Sequence, residues 1–366
     1  MKKIFSGLFS LLLGSALAAA QPELQKEINQ AISSGKKMIK LTSKEYRSSK
    51  TIVLKKVDGV TIDGNGAKLV MTRHKHALLL NGCRNITIRN LTIDYDPLPF
   101  TQGVITKVSP DFKQVEFTID DGYPDLTELY AVGRLHLFTP DGKAWKREAA
   151  DLYGKTEIID TRHGRFHANK PEPAFARGDR VALNLRKNGA VYLTGCGPVR
   201  FEDLTIYTCP SLGFCNRFSE GGDELINVKL MRGPRPSGAR ADRLLSTCAD
   251  GLNYAYIRRG PKLIHCDFSF MGDDSVNLHS VALPVVRMLN GRTFDTLRPY
   301  RPEGFPAIIR PGDKLRLLNP SDYSILGEAV IEKFRPSPRK YDLATLKEYY
   351  FNRGKGLREW TAYEVT

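Results

Sequence analysis

The residues with chemistry to offer cluster late in the chain. Cys248-Ala249-Asp250-Gly251-Leu252-Asn253 carries one aspartate, and Gly272-Asp273-Asp274-Ser275-Val276-Asn277-Leu278-His279 carries two. Asp273 follows Asp250 by 23 residues and Asp274 follows it by 24. In a fold that repeats with that period, the three carboxylates become neighbours, about 4.8 Å apart along the stacking axis. Clustered carboxylates repel, so at least one keeps its proton near neutral pH while the others stay charged. One acid and one base in the same place is what hydrolysis of a glycosidic bond requires. One carboxyl protonates the leaving oxygen while another activates water. Successive residues of a regular strand point to opposite faces, so Asp273 and Asp274 can act together only if Gly272 sets them at a bulge or corner. Asp250, Asp273 and Asp274 are therefore the candidate catalytic residues.

The same residues admit other readings. Asp-Gly and Gly-Asp-Asp are common turn sequences, and it is the spacing that favours chemistry over a turn. Clustered carboxylates also suit a hard cation such as calcium. Candidate substrate-binding residues are Asn253, Asn277, His279 and Arg243. Asn277 and His279 lie two apart and can share one face. His279 can bind a sugar hydroxyl, tune an aspartate, or sit exposed at a corner. Arg243 can orient a carboxylate, contact sugar, or lie on the surface. His265, inside an alternating segment, reads as a structural polar residue, and His74 and His76 read as surface.

The elements that must position these residues show a repeat. Val60-Thr61-Ile62-Asp63-Gly64, Ile86-Thr87-Ile88-Arg89-Asn90-Leu91-Thr92-Ile93 and Val199-Arg200-Phe201-Glu202-Asp203-Leu204-Thr205-Ile206 alternate apolar with polar residues. That is the period of a half-buried strand. Val60 to Ile86 spans 26 residues and Val199 to Ile226 spans 27, the repeat of a solenoid. The pattern predicts an all-β chain, a right-handed parallel β-helix whose coils stack because none can bury its apolar face alone. Residues 21–96 read as an N-terminal cap and first coils, and 191–282 as the coils that hold the aspartates. Two segments break the repeat, 97–190 and 283–335. Both carry Gly-Asp-basic-apolar strand openings, and they read as related small β-barrels inserted at coil corners. The stretch 336–366 ends strand-like and uncapped. It reads as an incomplete return toward the β-helix, with the C-terminal coils missing.

Residues 1–20 read as a secretory signal: Lys2 and Lys3, an apolar run, then Ala18-Ala19-Ala20. The expected location is therefore secreted or periplasmic. No later run is long and apolar enough to be a membrane span. The formal net charge is +15, from 55 Lys and Arg against 40 Asp and Glu, but the charges are scattered without a basic block. That reads as a basic solvated surface, with an acidic glycan matrix as the next reading, and not as a nucleic-acid or membrane partner. The six cysteines lack metal-site spacing and are expected mostly as buried thiols, with Cys209–Cys215 the pair best placed for a disulfide. No cofactor is expected, and nothing in the sequence sets an oligomeric state.

An Ala-Asp-Gly coil followed one turn later by Gly-Asp-Asp resembles the polygalacturonases of the pectin-lyase-like β-helix superfamily. A closer resemblance is to glycoside hydrolase family 110, the exo-acting α-1,3-galactosidases. Asp94-Tyr95-Asp96-Pro97-Leu98-Pro99-Phe100-Thr101-Gln102-Gly103 looks like that family's approach to its first barrel insert. Cys248-Ala249-Asp250-Gly251 and Gly272 to His279 look like its active-site coils. The resemblance implies an inverting, cofactor-free enzyme that releases terminal α-1,3-linked galactose from blood-group-B-type or linear glycans. It implies Asp250, Asp273 and Asp274 as the catalytic group. By analogy with polygalacturonases, Asp273 would be the acid, and Asp250 with Asp274 would position the water. The Gly-His-Gly and Arg-Ile-Lys motifs that serve a uronate substrate are absent, which argues against pectin. The competing expectations are a calcium-dependent β-helix polysaccharide lyase and a non-catalytic glycan-binding β-helix protein.

Overall fold

The computed structural model describes residues 23–149, 151–280, 282–299, 305–342 and 360–366. Residues 1–20, which the sequence suggests as a secretory signal, lie outside them. Among the described residues only Glu23–Ser33 and Phe305–Ile308 are helical, so the chain is all-β as expected. Two parallel sheets dominate, and the chain alternates between them. The first runs Met38–Lys40, Thr61–Met71, Ile86–Tyr95, Val199–Ile206, Glu224–Ile226 and Lys262–Ile264 in spatial order. The second runs Ile52–Lys55, Leu78–Asn81, Val191–Thr194, Phe214–Arg217, Leu252–Ala255 and Val276–His279. In both sheets spatial order follows chain order.

The alternating sequence explains which residues face inward. In Val199–Ile206 the buried side chains are Val199, Phe201, Leu204 and Ile206. They meet Leu80, Leu193 and Phe214 of the second sheet in one apolar core, with the rings of Phe201 and Phe214 edge-on at 5.0 Å. Full burial of such a side chain is worth about 1.5–3 kcal/mol. The alternation slips one residue at Asp203, which takes φ 49° beside Asn90 at φ 53°. Asn227 and His265 repeat that left-handed turn at 51° and 53°. Asn and Asp tolerate it because their short polar side chains bond locally. Asn90 donates to Asp63 Oδ1 at 3.0 Å and Asn227 to Asp203 Oδ1 at 2.5 Å. His265 is thus an exposed corner residue between two short strands, and not a residue inside an alternating strand.

The N-terminal helix covers one end. Leu24 and Ile28 face a small cavity shared with Leu41, Ile52, Ile62 and Leu80. Gln25 closes the nearby sheet edge: its Oε1 accepts from Val53 N–H at 2.7 Å, and its Nε2 donates to Val53 C=O at 3.1 Å. A capped edge cannot recruit a foreign strand.

The first interruption is a closed six-stranded barrel built from Phe100–Val108, Gln114–Ile119, Arg134–Phe138, Leu152–Ile158, His163–Ala168 and Arg180–Asn184. The parallel sheets continue across it, pairing Leu78 with Val191 and Ile86 with Val199. The barrel has its own core of Phe117, Phe138, Phe166 and Val181, which also takes in Leu244, Leu245 and Cys248. It therefore packs on the segment that leads to Asp250. Gln102 fastens the same junction, donating to Asp242 C=O at 3.0 Å and accepting from Leu244 N–H at 2.8 Å.

The second interruption differs from the expected barrel. Among the described residues it forms an open antiparallel sheet, Val285–Met288, Phe294–Pro299, Trp360–Val365 and Phe334–Pro336, beside a hairpin of Lys314–Leu318 and Ile325–Val330. The last strand pairs Phe294 with Val365 and Phe334 with Val365, so it completes this sheet instead of returning to the parallel sheets. The charged row Arg335, Arg339, Asp295 and Glu364 across those strands accounts for that pairing. The expected Cys209–Cys215 bridge is also absent: all six cysteines are free, and all but Cys266 are buried. Burial pushes the Cys209 and Cys215 thiols up to about 12 and about 11. No helix among the described residues is long and apolar enough to cross a membrane.

Candidate active site

Asp250 stands two residues ahead of the strand Leu252–Ala255, and Asp274 stands two residues ahead of Val276–His279. Leu252 and Val276 are register partners, so Asp250 and Asp274 occupy matching places in successive passes. Main-chain bonds fix the stack: Gly213 N–H donates to Asp250 C=O at 2.9 Å, and Gly251 N–H to Asp274 C=O at 2.8 Å. Asp273 turns toward the barrel. Gly272 permits this corner, because a Cβ there would meet the Cys248 carbonyl oxygen at 2.6 Å and Asn184 Nδ2 at 3.2 Å.

The two asparagines repeat one contact. Asn253 Nδ2 donates to Asp250 Oδ2 at 2.7 Å, and Asn277 Nδ2 donates to Asp274 Oδ2 at 2.9 Å. Each aspartate thus carries its own amide three residues on. His279 Nδ1 lies 2.8 Å from Asn277 Oδ1, and its ring meets Tyr256 edge-on at 6.1 Å. Arg217, from the preceding pass, donates to Asn253 Oδ1 at 2.5 Å. Asn253, Asn277 and His279 therefore share one outward face with the aspartates.

Arg243 does not join them. Its side chain is 8% exposed and is committed to Asp94, with Nη1–Oδ1 2.9 Å and Nη2–Oδ2 3.3 Å. The sequence placed it near Asp250, but the segment between them runs along the barrel junction and turns the guanidinium inward. His74 and His76, expected on the surface, are half-buried. His76 Nδ1 accepts from Gly189 N–H at 3.0 Å, and its ring contacts Tyr192 at 5.1 Å. Burial lowers the pKa of both rings.

The barrel supplies four residues that the sequence reading missed. Arg186 Nη2 lies 2.5 Å from Asp273 Oδ2 and 4.0 Å from Asp250 Oδ1. Arg134 Nη1 approaches the same Asp273 oxygen at 3.3 Å. His136 Nε2 lies 3.0 Å from Asn184 Oδ1, and the Asn184 amide donates to the Cys248 carbonyl. The signal was present as polar residues two apart in apolar strand segments, Arg134-Leu135-His136 and Asn184-Leu185-Arg186. It was unreadable without knowing that the barrel strands end on the aspartate corner.

Asp250 is 4% exposed, and burial is the main cause that raises its pKa. The Asn253 amide opposes the rise, and the charges of Asp273 and Asp274 add to it. A raised carboxyl beside ion-paired carboxylate is an arrangement that holds and accepts protons in one place. Among the described residues no group of three or more His, Cys, Asp or Glu side chains is arranged to hold a metal ion.

No protein-family model matches the chain. Individual relatives do. An α-1,3-galactosidase B of Bacteroides thetaiotaomicron is 22% identical over 265 residues, 65% of this chain. An α-1,3-galactosidase B of Akkermansia muciniphila is 22% identical over 75% of this chain. An α-1,3-galactosidase A of Bacteroides fragilis is 21% identical over 66% of it. The chain is similar to α-1,3-galactosidases over about two thirds of its length or more. These relatives support the resemblance to glycoside hydrolase family 110. The aligned part of the chain spans 41%, 35% and 41% of the three α-1,3-galactosidases' own lengths, well under half of each. Among solved structures, the tailspike of Acinetobacter baumannii bacteriophage AP22, in complex with capsular saccharide, is 9% identical over 68% of this chain and 48% of that one. Its TM-score of 0.19 is too low to bear on fold.

Proposed function

We propose that the chain is an exo-acting glycoside hydrolase that releases terminal α-1,3-linked galactose with inversion, from blood-group-B-type or linear glycans. Asp250, Asp273 and Asp274 form its catalytic group, and Asn253, Asn277 and His279 line the sugar face. The observation that carries the reading is the stacking of Asp250 on Asp274, with Asp273 beside them, in a chain similar to α-1,3-galactosidases. The two alternating parallel sheets support a right-handed β-helix as the scaffold, and the signal segment supports a secreted or periplasmic location. In an inverting reaction one carboxyl protonates the glycosidic oxygen while another draws a proton from the attacking water.

The test is a screen of terminal α- and β-galactosides, with fucosylated and unfucosylated α-1,3-galactosyl oligosaccharides among them. The anomer of the first-formed product is read by NMR. The reading expects galactose from α-1,3 linkages as the β-anomer. First-formed α-galactose sinks the inverting assignment, and binding without turnover favours a non-catalytic glycan-binding protein. Activity is expected to survive EDTA, because arginines already supply the positive charge at Asp273. Loss in EDTA with recovery on calcium, and an unsaturated product, would favour the lyase.

A further inference from the structure

We propose that Tyr153, on the outer wall of the barrel, is the platform on which the second sugar of the substrate stacks, so that the barrel selects the group to which the terminal galactose is attached. This deepens the glycosidase reading and rests on it.

Alternation places the ring. Leu135 and Leu152 are register partners in the barrel, and both lie in its core. Their neighbours Arg134 and Tyr153 pair in the same register and therefore stand on the barrel's outer side. From there Arg134 runs to the aspartate corner, where its Nη1 lies 3.3 Å from Asp273 Oδ2. Its guanidinium lies over the Tyr153 ring, 5.5 Å from the centroid. One face of the ring is thus turned to an arginine that touches the site, while 49% of the residue stays open to solvent. A single exposed aromatic residue needs no explanation by itself. Tyr153 is singled out because one side chain separates it from Asp273. Its strand is also fixed: Tyr153 C=O accepts from Asn169 N–H at 2.8 Å, and Gly154 N–H donates to Gly133 C=O at 3.0 Å. A ring with two torsions on a fixed strand loses little freedom when it is covered.

The direction of the substrate follows from what lies on each side of the aspartates. Asn253, Asn277 and His279, on the parallel strands, offer amides and an imidazole, groups that suit the hydroxyls of the terminal galactose. The barrel side, toward which Asp273 turns, offers the Tyr153 ring, which suits the apolar C–H face of a hexose. The scissile oxygen belongs at the aspartates between them. The sugar beyond that oxygen then extends over Arg134 and meets Tyr153. A substrate with a second hexose gains the stacking contact, and a galactoside of a simple alcohol does not.

The test compares an α-1,3-linked galactosyl-galactose disaccharide with methyl α-galactoside, which ends where the second sugar would begin. Tyr153→Ala should lower kcat/KM on the disaccharide about 10-fold, mostly through KM, and leave methyl α-galactoside within about twofold. Tyr153→Phe and Tyr153→Trp should keep the parent's preference for the disaccharide. Tyr153→Leu, which still covers Arg134 but offers no ring, should lose it. An unchanged preference in Tyr153→Ala or Tyr153→Leu overturns the platform. An equal loss on both substrates overturns it too, since the ring would then act on the terminal galactose or through Arg134. If the parent cleaves no galactoside, calorimetric binding of the same two sugars separates the two ideas. Selective weakening of the disaccharide by Tyr153→Leu would refute the galactosidase reading and keep the platform, whereas equal or absent binding would remove the platform as well.

Discussion

Asn184 of the barrel donates its side-chain amide to the main-chain carbonyl of Cys248, two residues ahead of Asp250. The same amide nitrogen lies 3.2 Å from where a Cβ on residue 272 would stand, so one asparagine adjoins both segments that carry the aspartates. His136 holds Asn184 from behind at 3.0 Å. Since the Asn184 nitrogen is used on Cys248, its oxygen accepts, and His136 must donate from Nε2.

That buried histidine makes stability sensitive to acid. Burial is the main cause that lowers His136 from about 6.5 to about 4, and Arg134 adds to it. The unfolded chain takes the proton first as pH falls through about 6.5, so the full contribution is present above that pH. It declines down to about pH 4, by about 3 kcal/mol in all. Urea midpoints of the parent and of His136→Gln, followed from pH 7 to 4.5, should converge as pH falls. Parallel curves would refute this assignment.

Gly272→Ala should damage the corner more than a surface change would. Its Cβ would meet the Cys248 carbonyl oxygen at 2.6 Å and carbon at 2.8 Å, both backbone atoms. Overpacking of this kind costs about 1–3 kcal/mol. A lower Tm should accompany a lower kcat, because the displaced segments are those of Asp250 and Asp273. Unchanged Tm and kcat would show that the corner has slack.

Arg243→Leu should act on stability alone. It strips the buried partner from Asp94 and leaves Lys68, at 3.4 Å, as the remaining cation. Removing one member of a buried pair typically costs about 3–5 kcal/mol. Thermal unfolding should register the loss while KM of the folded protein stays put. A raised KM with an intact Tm would return Arg243 to the sugar.

Each of Asp250→Asn, Asp273→Asn and Asp274→Asn should lower turnover on a cleaved α-galactoside by about 10²-fold or more. Circular dichroism should show all three folded, since each change keeps the size and shape of the side chain. Near-parental turnover in any one of them removes that residue from the mechanism.

The sequence made the aspartate cluster legible because a parallel sheet whose strands stack in chain order turns chain spacing into spatial contact: Asp250 and Asp274 are one pass apart in both. The barrel's existence was also legible, from strands that break the repeat. Its contribution to the site was not, because Arg134 and Arg186 reach Asp273 across 139 and 87 residues of chain. No periodicity reports a contact of that kind. Arg243 misled for the same reason: sequence proximity to Asp250 gave no information about the inward turn toward Asp94. The last strand read as a coil fragment because antiparallel and parallel strands share one alternation, and only its partners, Phe294–Pro299 and Phe334–Pro336, distinguish them.

The barrel's first strand pairs with its last, Phe100 against Asn184. A closed barrel therefore returns the chain close to the point where it left, and Leu193 can settle beside Leu80 across a short gap. Order of assembly follows from this. Before the barrel forms, joining those two strands means closing a long, unstructured loop, a cost that grows with loop length and slows non-local pairing. Afterwards the same joining is nearly local. Pulse-labelled hydrogen exchange during refolding should find amides of Phe100–Val108 and Arg180–Asn184 protected before those of Val191–Thr194. The inserted module then acts in the growing fold as the clasp that lets the later strands of the two parallel sheets find the earlier ones.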